Sequence, residues 1–155
     1  MLFRSGAICT NRHADLDIIM HFQSIGRVTP KIWQNLNWLR FHKNSDSVDR
    51  HKKKFQDKYD FLKIAEIMVN ERYFANDKHF YLYVDLDEEV ILGNYSPKMM
   101  KEAIDEFVSE NYNRLVKPKL NRRDDSGRIS ADPKKVIREV KDRLFIQHYG
   151  NKKSK

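Results

Sequence analysis

The spacing of apolar residues changes period several times along this chain, and each change predicts an element. Asp17, Ile18, Ile19, Met20, His21 and Phe22 form a short, nearly continuous apolar run rich in β-branched and aromatic side chains. Such a run predicts a buried strand, ending at Gln23-Ser24-Ile25-Gly26-Arg27. A helix is expected directly afterwards. Thr29 can cap it, and Pro30 sits where the first helical residue needs no N–H donor. Ile32, Trp33 and Leu36 give that helix an apolar face, and Trp38-Leu39-Arg40-Phe41-His42 predicts a second strand. Strand, short helix and strand in close succession predict an α/β fold with a parallel pair.

Residues 44–54 are polar and predict an exposed stretch leading into a long amphipathic helix that ends near Tyr73. Phe61, Ile64, Ala65 and Met68 fall at i, i+3, i+4 and i+7, and Phe55, Tyr59, Leu62 and Val69 broaden the stripe. Residues 79–84 and 89–92 predict a β-hairpin turned by Asp85-Leu86-Asp87-Glu88. Ser96-Pro97 predicts another capped helix, with Met100, Ala103, Ile104, Phe107 and Val108 as its core face. Residues 117–128 read as an exposed, mobile linker. Asp132-Pro133 opens a last helix, along which Val136, Val140 and Leu144 align while its other faces are basic. Lys152-Lys153-Ser154-Lys155 is expected to be disordered. The pattern suggests a body over residues 1–111, a basic linker over 112–131, and a basic helix and tail over 132–155.

Composition sharpens this picture. A length of 155 residues fits one domain with a real core, and an aromatic content of 12% argues against disorder. The net charge of +8 is unevenly placed: residues 44–110 sum to −5 and residues 111–155 to +9. A basic end on an acidic body points to a polyanionic partner, most often nucleic acid. Lys117, Lys119, Arg122, Arg123, Arg128, Lys134, Lys135 and Arg138 are the candidate contacts. The single cysteine, Cys9, predicts a small buried hydrophobe in a reducing compartment. No run approaches the roughly 20 apolar residues of a transmembrane helix, so no membrane span is expected. The first residues lack the pattern of a secretion signal.

Most candidate chemistries fail on spacing. Tyr81-Leu82-Tyr83-Val84-Asp85 imitates a strand ending in a Mg²⁺-holding carboxylate, but none of the five glycines opens a phosphate loop. Asp85 is therefore expected to be a solvated turn residue. The six histidines have no zinc-like spacing, and no calcium loop is present.

One constellation goes further. Asn11-Arg12-His13 precedes the first apolar run, Gln23 ends it, Val28-Thr29-Pro30 to Asn35 follows, and Arg40 lies on the next strand. Together with the later hairpin and Gly93-Asn94-Tyr95-Ser96, this order resembles the HerA–FtsK superfamily of DNA-pumping P-loop ATPases, including phage packaging and Zot-like assembly ATPases. The resemblance covers roughly residues 1–110. It implies a partial RecA-like three-layer sheet with an added β-hairpin and C-terminal helices. It implies that Gln23 senses the γ-phosphate or orients water, and that Arg12, and more weakly Arg40, stabilise the transferred phosphoryl.

ATP and Mg²⁺ are implied by the resemblance alone, with their ligands outside this chain, since the Walker A and Walker B elements lie upstream of these segments in the family. The expectation is thus a C-terminal fragment or subunit of a DNA-translocating ATPase, inactive alone. It would join a homo-oligomeric ring in the cytoplasm of a bacterial or phage-infected cell. The alternative is a non-enzymatic, basic nucleic-acid-binding protein.

Overall fold

In the computed structural model, residues 19–121 and 132–150 are described. A 3-10 turn (Ile25–Arg27) leads into the one-turn helix α1 (Pro30–Trp33). The Thr29 hydroxyl accepts from the Ile32 amide at 3.4 Å, the cap its position predicts. Strand β1 (Trp38–His42) follows, then a 3-10 turn (Val48–His51) and the short helix α2 (Lys52–Phe55). Gln56 takes φ +46°, which ends α2 and lets the chain turn through Gln56–Lys58 into the long helix α3 (Tyr59–Phe74). The hairpin strands β2 (Tyr81–Asp85) and β3 (Val90–Leu92) lead to α4 (Pro97–Glu110), the short helices α5 (Tyr112–Leu115) and α6 (Lys117–Leu120), and finally α7 (Pro133–His148). Ser96 and Asp132 cap α4 and α7, each ahead of a proline in the first turn.

The protein is mixed α/β, built on a three-stranded sheet in the order β1-β2-β3 with both pairings antiparallel. The expected parallel pair is not found among the described residues. Residues 19–22 of the predicted first strand adopt no strand, and Ile19 is 83% exposed. A strand needs a neighbour to take up its backbone groups, and among the described residues β1 pairs only with β2. Residues 17–18 lie outside the described residues, as does Cys9. Among the described residues, the one parallel pairing is an isolated bridge between Ile91 and Tyr149 at the end of α7.

Alternation in the strands sends Phe41, Leu82, Val84 and Ile91 into the core, with Leu39 packed against it. There they meet α3, which α4 and then α7 flank. The periodicity predicted an amphipathic α3, yet every residue from Phe61 to Val69 is buried. Only its last turn is exposed, at Glu71, Arg72 and Phe74, and over the buried stretch the helix is enclosed on all sides, including at Lys63 and Glu66. Their charges are matched by the segment the sequence marked as exposed. Val48 is fully buried in that segment, its amide donates to Glu66 Oε1 at 2.9 Å, and Lys63 Nζ lies 2.7 Å from Asp49 and 2.9 Å from Glu66.

The basic end is also less detached than expected. Residues 112–120 form α5 and α6, Leu115 and Val116 are buried, and α7 shares the core through Val136, Val140 and Leu144. Residues 122–131 and the lysine tail lie outside the described residues.

Candidate nucleic-acid interface

The open face of the sheet is set by register. Trp38 pairs with Asp85, Arg40 with Tyr83 and His42 with Tyr81, so these six side chains share the face opposite the core. Trp38 is 51% and Tyr83 41% exposed. The Arg40 guanidinium lies 3.9 Å from the Tyr81 ring centroid, a cation–π contact. His42 packs on the same ring at 5.4 Å, and Tyr83 meets Tyr81 edge-on at 5.4 Å. Burial and then the neighbouring Arg40 charge hold the His42 imidazole below its usual range, so Arg40 carries this face's positive charge. Beyond the end of β1, Lys43 Nζ lies 5.9 Å from the Phe74 ring, itself 75% exposed.

The acid on this face is turned to another use. Asp85 is buried, not solvated as its turn position suggested, and its Oδ1 accepts from the amides of Asp87 and Glu88 at 3.0 Å each. It closes the hairpin turn. Arg40 consequently has no carboxylate partner among the described residues.

A second basic surface runs over α6 and α7. Lys117, Lys134, Lys135 and Arg138 are exposed and Lys119 is half-buried, and none of them forms an ion pair among the described residues. By contrast, Lys141 is paired to Asp105 at 2.9 Å and Arg114 to Asp60 at 2.7 Å. A groove of about 420 Å³ between α4 and α7 is lined by Ile104, Ile137 and Phe145, by the cations Lys101, Lys134, Arg138 and Lys141, and by the carboxylates Asp105 and Asp142. Lys134 and Lys135 stand in the first turn of α7, where the helix macrodipole is already positive.

Two of the three predicted catalytic residues, Gln23 and Arg40, lie among the described residues. Gln23 is an exposed bend residue ahead of the first 3-10 turn rather than the end of a buried strand. Arg40 is stacked on Tyr81. Arg12 lies outside the described residues, as do Arg122, Arg123 and Arg128.

The polar cluster beside Gln23 is structural. Ser24 Oγ donates to Asp46 Oδ2 at 3.0 Å, and His51 Nε2 approaches the same oxygen at 2.6 Å. The hydrogen bond from His51, then that from Ser24, hold the Asp46 carboxyl below the usual range. Both groups meet the carboxylate, so the serine is not seated on the imidazole as a nucleophile requires. Lys54 adds bonds to the carbonyls of Ile25 and Gly26 at 3.1 and 3.3 Å. A Cβ at Gly26 would fall 2.5 Å from Asp46 Oδ2, so this clamp needs glycine there. No group of three or more His, Cys, Asp or Glu able to hold a metal is found among the described residues. None of the described helices is long and apolar enough to cross a membrane.

The open sheet face was missed in the sequence because its rings come from strands some 40 positions apart. The alternation in residues 38–42 and 81–85 was its one local signal. Comparisons with protein-family models, with curated proteins and with solved structures found no match to this chain.

Proposed function

We propose that this chain is a non-enzymatic nucleic-acid-binding protein, with DNA as the expected partner. The observation that carries the reading is the set of cations on α6 and α7 that lack acidic partners among the described residues: Lys117, Lys119, Lys134, Lys135 and Arg138. Their neighbours Lys141 and Arg114 are neutralised by carboxylates, while these five stay unpaired among the described residues, together on α6 and α7. Two of the five add to the positive end of a helix, where they oppose folding and favour an anion.

The translocating-ATPase reading is a second proposal. In it the chain joins a ring and uses ATP and Mg²⁺ held by residues of other polypeptides, within a partial RecA-like sheet. It draws no support from Gln23, whose exposed bend offers no strand end on which a γ-phosphate sensor would sit.

Fluorescence anisotropy with a labelled 20-mer tests the first reading. Affinity should fall steeply with salt, because each phosphate neutralised contributes roughly −0.7 to −0.9 to the log–log slope. Changing all five cations to glutamine should flatten that slope by about 3 units or more. A slope indifferent to those changes removes this surface from the interface. Binding that tightens when ATP and Mg²⁺ are added would instead favour the motor reading.

A further inference from the structure

We infer that the open face of the sheet is a stacking platform for unpaired bases, so that the preferred nucleic acid is single-stranded. This rests on the reading of the chain as nucleic-acid-binding, and it names the form of the ligand.

The argument starts from what the face exposes. A sheet face left open to water is ordinarily polar, with alternate residues carrying charge or hydroxyl groups. Here Trp38 and Tyr83 expose large flat rings, at 51% and 41%, on neighbouring strands. They stand diagonally across the β1–β2 pair, a relation that spaces side chains by roughly 7–8 Å. Tyr81, the third ring of the face, is already covered by Arg40 at 3.9 Å and flanked by His42. Trp38 and Tyr83 are thus the rings with area to offer, and a fixed cation lies beside them.

That combination suits one class of ligand. Unpaired bases present a π-face whatever their identity, while the adjoining phosphates seek a cation. A duplex hides its base faces in the stack and offers only phosphates and groove edges. Charge also selects a polyanion over an apolar protein segment. Arg40 has no carboxylate partner among the described residues, the Asp85 carboxylate on the same face is turned into the hairpin, and Asp87 at the Trp38 end is taken by the Asn37 amide, so Arg40 is the free charge of this face. The basic surface of α6 and α7 would hold either form through phosphates alone, so single-strand preference comes from the sheet.

The test compares labelled dT20 with a 20-base-pair duplex, using the full chain and the variants Trp38→Ala, Tyr83→Ala, Trp38→Phe and Arg40→Gln. The full chain should bind dT20 at least tenfold more tightly than the duplex. Trp38→Ala and Tyr83→Ala should each weaken dT20 binding by about tenfold, the size of one lost base stack. Each should change duplex binding less than twofold. Trp38→Phe, which keeps a ring, should recover most of the loss. Arg40→Gln should lower the salt slope by about 1.

A second readout is optical. Trp33 is buried against Phe55 with ring centroids 4.7 Å apart, so quenching of tryptophan emission by dT20 should come from Trp38 and vanish in Trp38→Ala. If both ligands bind but the ring variants behave like the parent, the platform is refuted while the nucleic-acid reading stands. If neither ligand binds at low salt, the broader reading fails and takes the platform with it.

Discussion

Two regions of this protein hold clustered charge and aromatic groups, and they treat them in opposite ways. Around the buried stretch of α3, no described buried side-chain polar atom lacks a partner. Lys63 is shared between Asp49 and Glu66, Glu66 takes the Val48 amide, and Tyr59 donates to Asp49. Burial pulls the Lys63 pKa down, but its bonds to Asp49 and Glu66 outweigh burial and leave it above the usual lysine range. Across the sheet, Arg40 has a ring but no acid among the described residues, and Trp38 and Tyr83 face water. Internal matching is what a charge needs when its work is to hold a fold. Charges and rings left without partners at a surface are what a ligand needs.

The sharpest way to break that comparison is to strike the matched region. Glu66→Ala leaves Lys63 buried beside one remaining acid and removes the acceptor of a buried amide. Breaking one member of a buried ion pair costs about 3–5 kcal/mol. Urea denaturation should show a loss of that order. If the full chain's stability cannot absorb it, the milder Glu66→Gln, which keeps an oxygen for the Val48 amide, should show a smaller loss. A change under about 1 kcal/mol in Glu66→Ala would mean that this cluster is not what fixes the Val48–His51 turn to α3.

These two regions also differ in how far they could be read from sequence. Local signals were legible: the Thr29, Ser96 and Asp132 caps and the hairpin turn each depend on a few neighbouring residues. Lys63 and Glu66 fall outside the apolar stripe read along α3, and their burial was not legible because their partners in residues 47–49 come from another element. The polar run 44–54 looked exposed for the same reason, although its polar groups are the ones that neutralise α3. Residues 19–22 carried a strand's composition but have no described neighbour to pair with. Arg40 was singled out for a phosphoryl group, whereas its position on β1 sets it on Tyr81. Lys134, Lys135 and Arg138, read as candidate contacts on the basic faces of the last helix, are exposed there, away from the Val136, Val140 and Leu144 face that joins the core.

A smaller effect separates the regions by pH. His148 is buried, stacks on Phe61 at 5.4 Å, and its Nδ1 is 2.7 Å from the Glu89 carbonyl, which joins α7 to the hairpin turn. Burial lowers its pKa, against the opposing pull of Glu89 and Asp60. The sign follows from proton counting. Above the unfolded value of about 6.5, both states are neutral and the full stability is present. As pH falls below it, the unfolded chain binds the proton first, so stability drops until the folded-state pKa is reached. The slope cannot exceed about 1.4 kcal/mol per pH unit for one group. His42 is shifted the same way, so the readout is the difference between the parent and His148→Gln. Denaturation between pH 7 and 5 should show a shallower loss in the variant. Parallel curves would mean that His148 does not stay neutral in the fold.

The smallest expected effect is the most discriminating, because its two readouts move in opposite directions. Lys134 and Lys135 occupy the first turn of α7, whose amides already make that end positive. A cation there is repelled by the macrodipole, at roughly 0.3–1 kcal/mol for an exposed site. Asp132, the cap that accepts from the Lys134 amide at 3.1 Å, offsets part of that repulsion. Replacing both lysines with glutamine should therefore raise stability by a few tenths of a kcal/mol. The same change should weaken nucleic-acid binding and reduce the salt slope by up to about 2. Residues that only serve the fold cannot give that pair of signs, because their loss would lower stability. If the double variant is less stable and binds equally well, these lysines belong with the matched charges of α3, and the interface must lie elsewhere.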